Sequence, residues 1–158
     1  MADHTDLDKI DLKILKILQE NGRITNLQLS SDIGLSPAPT LERVRKLENS
    51  GFIKSYHAQV DPKSLGMDVA TFVKVKLNSY KSESINNFLA QVQKVDEIVE
   101  CHYVTGSADF ILKLMVKDMS AYERLIFDKM SKIQEIGNME TMVVLSTLKQ
   151  SKALPMEY

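Results

Sequence analysis

Leu35-Ser36-Pro37-Ala38-Pro39-Thr40-Leu41-Glu42-Arg43-Val44-Arg45-Lys46-Leu47-Glu48 carries a helix start, a buried stripe and a basic strip within a few turns of chain. Ser36 suits an N-cap, and Pro37 suits the first helical position, where a missing N–H costs nothing. Leu41, Val44 and Leu47 recur at helical spacing as an inward stripe, and the helix is expected to end near Asn49 to Gly51. Thr40, Arg43 and Lys46 then repeat every three residues on another strip, continuous with Ser36, Ala38 and Pro39 at the helix start. Those are groove-contacting positions if DNA is the partner; otherwise Arg43, Arg45 and Lys46 are a solvated face.

Just upstream, Thr25-x-x-Gln28 has capping-box spacing for a short helix through Leu29 and Ile33, closed by Gly34. Before that, Leu7, Ile10, Ile14, Ile17 and Leu18 mark a first helix, started by Thr5 three residues before Asp8 and stopped at Asn21-Gly22. A supporting helix followed by two short helices across a glycine turn is a helix-turn-helix pattern. Phe52 to Val60 looks like a short strand or wing, and Asp61-Pro62 with Gly66 marks the junction to a second unit. The expected domains are therefore 1–61 and 62–158.

The whole chain has 158 residues, with 20 Lys+Arg against 21 Asp+Glu and 44% hydrophobic residues, as in a soluble globular protein of one or two small domains. No apolar run approaches the roughly 18 residues of a membrane span, and the mixed charge near the start does not suit a signal peptide, so a cytoplasmic protein without membrane contact is expected. Cys101 alone cannot form an internal disulfide, and His4, His57 and His102 have no metal-ligand spacing. A formal net charge of −1 argues against nucleic acid as partner when taken over the chain, since such domains usually carry a basic excess. Locally the balance differs: Arg23, Arg43, Arg45, Lys46 and Lys54 outweigh Asp32, Glu42 and Glu48 between positions 23 and 54.

In the second unit, Val69 to Leu77 alternates as a strand. Ile85, Phe88, Leu89 and Val92 form the apolar face of a helix capped by Ser84. Strands at Ile98 to Thr105 and Phe110 to Val116 flank Gly106-Ser107-Ala108-Asp109. Ser120-x-x-Glu123 opens a helix with Tyr122, Leu125, Ile126, Met130 and Ile133 inward, and a last strand spans about Met139 to Leu148. This order, βαββαβ, predicts a ferredoxin-like unit with both helices on one face of a four-stranded sheet, and so an α+β chain. Both sides of the last two strands are apolar, which leaves an open face to be covered by a second copy of the sheet or by the wing and linker.

The stretch from Leu35 to Glu48, with Gly51-Phe52-Ile53 after it, resembles the Lrp/AsnC family of bacterial and archaeal regulators. Glu100-Cys101-His102, Val104-Thr105-Gly106-x-x-Asp109, Asp118-Met119-Ser120-Ala121-Tyr122 and Val143-Val144 resemble segments of the leucine-responsive branch of that family. The resemblance runs from about Leu7 to Leu148. It implies a sequence-specific transcriptional regulator with an N-terminal winged helix-turn-helix that binds double-stranded DNA. It also implies a C-terminal domain that senses an amino acid, pairs into homodimers through its sheets and assembles to octamers. Ser36, Ala38, Pro39, Thr40, Arg43 and Lys46 would then lie near bases or phosphates, Arg43 facing a guanine edge and Lys46 a phosphate, while Arg23 and Lys54 would serve as further phosphate contacts.

The resemblance places an effector between subunits, where Tyr103, Val104, Thr105, Gly106, Ala108 and Asp109 of one chain meet Met119 or Met142, Val143 and Val144 of another. On its own, the Gly106 to Asp109 turn is equally a simple hairpin. Ala108 and Met142 stand where close leucine-responsive relatives tend to have aromatic residues, so leucine, methionine, another apolar amino acid or no ligand all stay open. No resident cofactor is expected. Catalysis fits poorly: Cys101 and Tyr103 share one strand face and His102 the other, Cys101 reads as a small buried apolar residue, and no phosphate-binding loop or nucleophile elbow occurs. A protein-interaction module that has lost DNA binding is the other alternative.

Overall fold

The structure is a computed structural model and describes residues 7–156. Its contacts group the chain up to Gln59, together with the stretch from Lys149 onward, as one compact unit, and Val60–Leu148 as another. The expected first boundary after residue 61 lies close to this division. Leu154 donates its backbone N–H to Gln19 Oε1 at 2.6 Å.

The first unit is three helices, α1 (Lys9–Glu20), α2 (Asn26–Ile33) and α3 (Pro37–Asn49). Thr5 lies outside the described residues; the cap of α1 is Asp8, whose carboxylate accepts from the N–H groups of Ile10 and Asp11, while Asp11 returns a bond to the Asp8 N–H. A carboxylate is well placed there, at the positive end of the helix dipole. Thr25 caps α2 through the Gln28 N–H, and Gly34 closes it in the left-handed conformation at φ 79°, which suits glycine. Ile14, Leu29, Ile33 and Leu47 form the core, with Ile10, Leu18, Val44, Phe52 and Ile53 packed around it.

The inward side of α3 is rotated from expectation. Thr40 is fully buried, with Oγ1 donating to the Ser36 carbonyl at 2.9 Å, whereas Leu41 is 39% exposed. A hydroxyl bonded to its own helix can enter a core without an orphaned donor, so a threonine takes the position assigned to leucine. The expected strand over 52–60 does not form, since these residues have no neighbouring strand to complete a ladder.

The second unit contains β1 (Val69–Leu77), α4 (Ser82–Val92), β2 (Ile98–Tyr103), β3 (Phe110–Val116), α5 (Met119–Asp128) and β4 (Ile136–Val143). The sheet has the order β2-β3-β1-β4 with every pair antiparallel, the expected ferredoxin-like arrangement. Val73, Val75 and Leu77 of β1 and Phe110, Leu112, Leu114 and Val116 of β3 are buried with Phe88, Val92, Leu125 and Met130. The alternation places Ala70, Phe72, Ile111, Met115, Met142 and Val144 on the other face, beside the cross-strand pairs Lys74–Glu140 and Lys113–Glu100. That face is thus part apolar and part charged.

Several boundaries differ: β2 ends at Tyr103 and not Thr105, and α5 ends at Asp128, before Met130 and Ile133. The cap position of α4 is Lys81 and not Ser84, and no side chain bonds the first turn there. Asp118 caps α5 in place of Ser120, its carboxylate accepting from the Ala121 N–H at 2.6 Å, because an ionised acceptor two residues earlier competes with the hydroxyl. Strand β4 starts at Ile136 and ends at Val143: Leu77 pairs with Ile136 past a bulge, Thr71 pairs with Val143, and the Val144 N–H reaches the Ala70 carbonyl.

Candidate DNA interface and effector turn

The helix-turn-helix is held by local polar contacts. Asn26, at the first position of α2, donates from Nδ2 to the Pro37 carbonyl at 2.8 Å and so ties the start of α2 to the start of α3. The sequence marked the turn by its glycine but not this amide. Ser36 has the extended backbone of an N-cap, yet its hydroxyl makes no cap bond. Ser36, Ala38, Pro39 and Lys46 are all exposed, as are Arg23 and Lys54.

Two expected contacts are placed differently. Thr40 is enclosed and bonded within α3, so its side chain is not offered to a groove. Arg43 turns back to α1, where Nη1 donates to Asp8 Oδ2 at 2.8 Å and to Asp11 Oδ1 at 2.7 Å. These bonds raise the guanidinium's ionisation further, Asp11 contributing most; the Asp11 N–H, with help from Arg43, holds the Asp8 carboxyl below the usual range.

The strip opposite the buried Thr40 and Leu47 runs through Ala38, Glu42, Arg45 and Asn49, with Lys46 and Leu41 on its flanks, and all are exposed. Arg45 is therefore the outward arginine of α3. The sequence carried a signal for it, since a helix that buries 40, 44 and 47 exposes 38, 42, 45 and 49. A stripe that takes Leu41 as inward hides it.

At the second site, Gly106 has φ 124°, a backbone state open to glycine and strained for any other residue. Asp109 is occupied structurally: Oδ2 accepts from the Leu77 N–H at 2.8 Å, its own N–H reaches the Val75 carbonyl, and its carbonyl accepts from the Val104 N–H. It fastens the hairpin to the end of β1 and keeps one carboxylate oxygen without a bond to the described residues. Val104 is half-buried and Ala108 buried, while Thr105 and Gly106 are exposed. Tyr103 is 71% exposed and leans on Phe110 with ring centroids 5.0 Å apart.

The other candidate effector residues lie elsewhere. Met119 begins α5 just after β3 ends opposite Val69, Met142 pairs with Phe72, and the Val144 N–H bonds Ala70. The 103–109 turn meets β1 at Val75 instead. Ala70 and Val75 are five steps apart along the strand, roughly 17 Å. One chain does not bring the two groups together; Met119, Met142 and Val143 are exposed at one end and the turn is at the other.

Cys101 is exposed, not buried as expected, because β2 is an edge strand. Its thiol is nonetheless pushed up by partial burial, away from the reactive thiolate. Among the described residues no group of three metal-ligating side chains occurs, and no helix is long and apolar enough to cross a membrane.

Comparison with known proteins agrees with both units. Residues 7–54 match a family described as winged helix-turn-helix DNA-binding, and residues 70–154 match the Lrp/AsnC ligand binding domain. The chain is 45% identical over 149 residues to the leucine-responsive regulatory protein of Salmonella typhimurium, covering 94% of this chain and 91% of that one. Among solved structures, a transcriptional regulator from Neisseria meningitidis in complex with L-methionine superposes with a TM-score of 0.91 at 34% identity, covering 95% and 97% of the two chains. An AsnC family transcriptional regulator from Agrobacterium tumefaciens gives 0.89 at 31% identity, covering 94% and 97%. With a DNA-binding helix-turn-helix joined to a ligand-binding domain, the chain belongs to the Lrp/AsnC family of transcription regulators, which are not enzymes.

Proposed function

We propose that this regulator works in the cytoplasm as a homodimer paired through the open faces of its sheets, assembling further to an octamer. An apolar amino acid bound between subunits then sets how it engages DNA. The observation that carries this reading is the separation of the two effector half-sites. Tyr103, Val104, Thr105, Gly106, Ala108 and Asp109 sit at one end of the sheet, and Met119, Met142, Val143 and Val144 at the other. A second copy can bring one end against the other.

The turn supplies unpaired backbone groups and one carboxylate oxygen of Asp109 for the charged ends of an amino acid, and the methionines supply a deformable apolar wall. Leucine and methionine are the first candidates. On the DNA side, Ser36, Ala38, Pro39 and Lys46 with Arg45 form the contact strip of α3, and Arg23 and Lys54 meet phosphates at its margins. A near-neutral chain binds through repetition: several weakly basic faces in one assembly act at high effective concentration.

A melting screen of the twenty amino acids tests the effector. At a hundredfold excess over its dissociation constant, the true ligand should raise the melting temperature by about 5–10 °C. No shift with any amino acid at millimolar concentration removes the sensing role. Mass measured with and without the best hit then shows whether the ligand acts on assembly, and gel shifts against competitor DNA separate a DNA-binding regulator from an interaction module.

A further inference from the structure

Arg43 stands on α3 but spends its Nη1 donors on α1, at 2.8 Å to Asp8 and 2.7 Å to Asp11. The two carboxylates are fixed before Arg43 arrives, because both take part in the capping box at the first turn of α1. Asp11 is buried, with 7% of its side chain exposed, so its charge is matched by Arg43 at close range rather than by solvent. The apolar seam on the α3 side is slender: Val44 and Leu47 face inward, Thr40 is small and Leu41 is exposed. Apolar packing is non-directional and permits α3 to roll about its axis, whereas charge-assisted hydrogen bonds to two fixed acceptors do not.

We propose that Arg43 is a positioning residue for DNA recognition: clamped by Asp8 and Asp11, it sets the roll of α3 on α1 and thereby aims Ala38, Arg45 and Lys46 outward. The proposal rests on the reading that the exposed strip of α3 meets DNA. A roll of one residue position would turn Arg45 away from a base edge, and one bidentate base contact is worth on the order of five- to a hundredfold in affinity.

The test uses full-length protein, a duplex selected by the wild type from a random pool, and a scrambled duplex of the same composition, with affinities measured across salt concentrations. Charge alone makes a definite prediction for Asp11→Asn: losing an acid from a DNA-binding unit should tighten both duplexes. The clamp predicts the opposite sign for the selected duplex, at least fivefold weaker, with the scrambled duplex as tight or tighter and the salt slope unchanged. Arg43→Ala should weaken the selected duplex similarly, the double variant should be no worse than Arg43→Ala alone, and Arg43→Lys should fall between, since a point charge lacks the planar fork.

Unchanged or tighter binding of the selected duplex by Asp11→Asn overturns the clamp. So does a change of base preference by Arg43→Ala with Asp11→Asn silent, which makes Arg43 a direct contact. If Arg43→Ala fails to fold, Asp8→Asn removes one arm from an exposed carboxylate and should give a smaller loss of the same sign; no loss there overturns the proposal. Arg45→Ala and Lys46→Ala check the underlying reading separately. If both leave the selected duplex bound as before, the contact strip is elsewhere and the assignment of α3 fails, whatever the clamp does.

Discussion

Tyr56 donates its hydroxyl to Glu48 Oε1 at 3.0 Å, and burial first, then this carboxylate, pushes its ionisation up to about 12 from the ordinary 10. A raised value in the folded state means the stabilisation is present below pH 10 and is lost as pH rises from 10 towards 12. An absorbance titration of the phenolates should therefore contain a phase near pH 12 that Tyr56→Phe removes. Asp8 has the opposite sign. Its folded carboxyl ionises below the ordinary 3.8, held by the Asp11 N–H and Arg43, so its stabilisation is present above that pH and is lost as acid carries the protein down through the lower value. Circular dichroism in acid should show Asp8→Asn less stable than wild type at pH 6, with the gap closing below pH 4. Neither residue stood out in the sequence, because each owes its chemistry to a partner brought up by the turn of a helix or the packing of two.

Among the elements, both the ends and the faces of helices turn on competition between neighbouring residues. Thr25 and Gly34 bracket α2 as its sequence says, Thr25 capping the Gln28 N–H while the adjacent Asn26 amide is engaged by the Pro37 carbonyl. At α5 two acceptors compete, and Asp118 prevails over Ser120. Gly34→Ala should cost about 1–2 kcal/mol although nothing lies within 4 Å of an added Cβ, because the cost lies in the left-handed backbone itself. Urea unfolding would show it as a lower midpoint. Ile14→Ala, which empties a fully buried position between the helices, should cost about 2–5 kcal/mol by the same measurement. The phase of α3 is the instructive case. Three leucine or valine positions at good spacing point to Leu41, yet the helix buries Thr40, and every outward assignment shifts with it.

For the whole molecule, the proposed pairing of subunits rests on the open sheet face. Phe72, Ile111, Met115, Met142 and Val144 form its apolar part, bordered by Lys74–Glu140 and Lys113–Glu100, which are already paired within the chain. Such internal pairing lets the charged border approach a second copy without stranding a charge. Ala70→Glu places an unpaired carboxylate between Met115 and Val144 on that face. Light scattering should show the mass fall to that of a monomer, and DNA affinity should fall at least tenfold, since each chain would then bind alone. A mass that stays at a multiple of the chain places the interface on another surface.

The order of elements, the alternation of the strands and the two-unit division follow from periodicity and turn residues, which are local properties, so the amino-acid sequence by itself determined the helix-turn-helix, the βαββαβ order and the family. It also carried the Gly106 to Asp109 turn, because glycine and aspartate have few other reasons to stand there. Which side of α3 faces out, that Arg43 serves α1 and leaves Arg45 exposed, that Asp109 fastens the end of β1, and that the candidate effector residues divide between two ends of the sheet were settled only by tertiary structure. Each depends on which groups become neighbours across helices or strands, and a buried threonine bonded to its own helix competes with leucine on terms that spacing does not record.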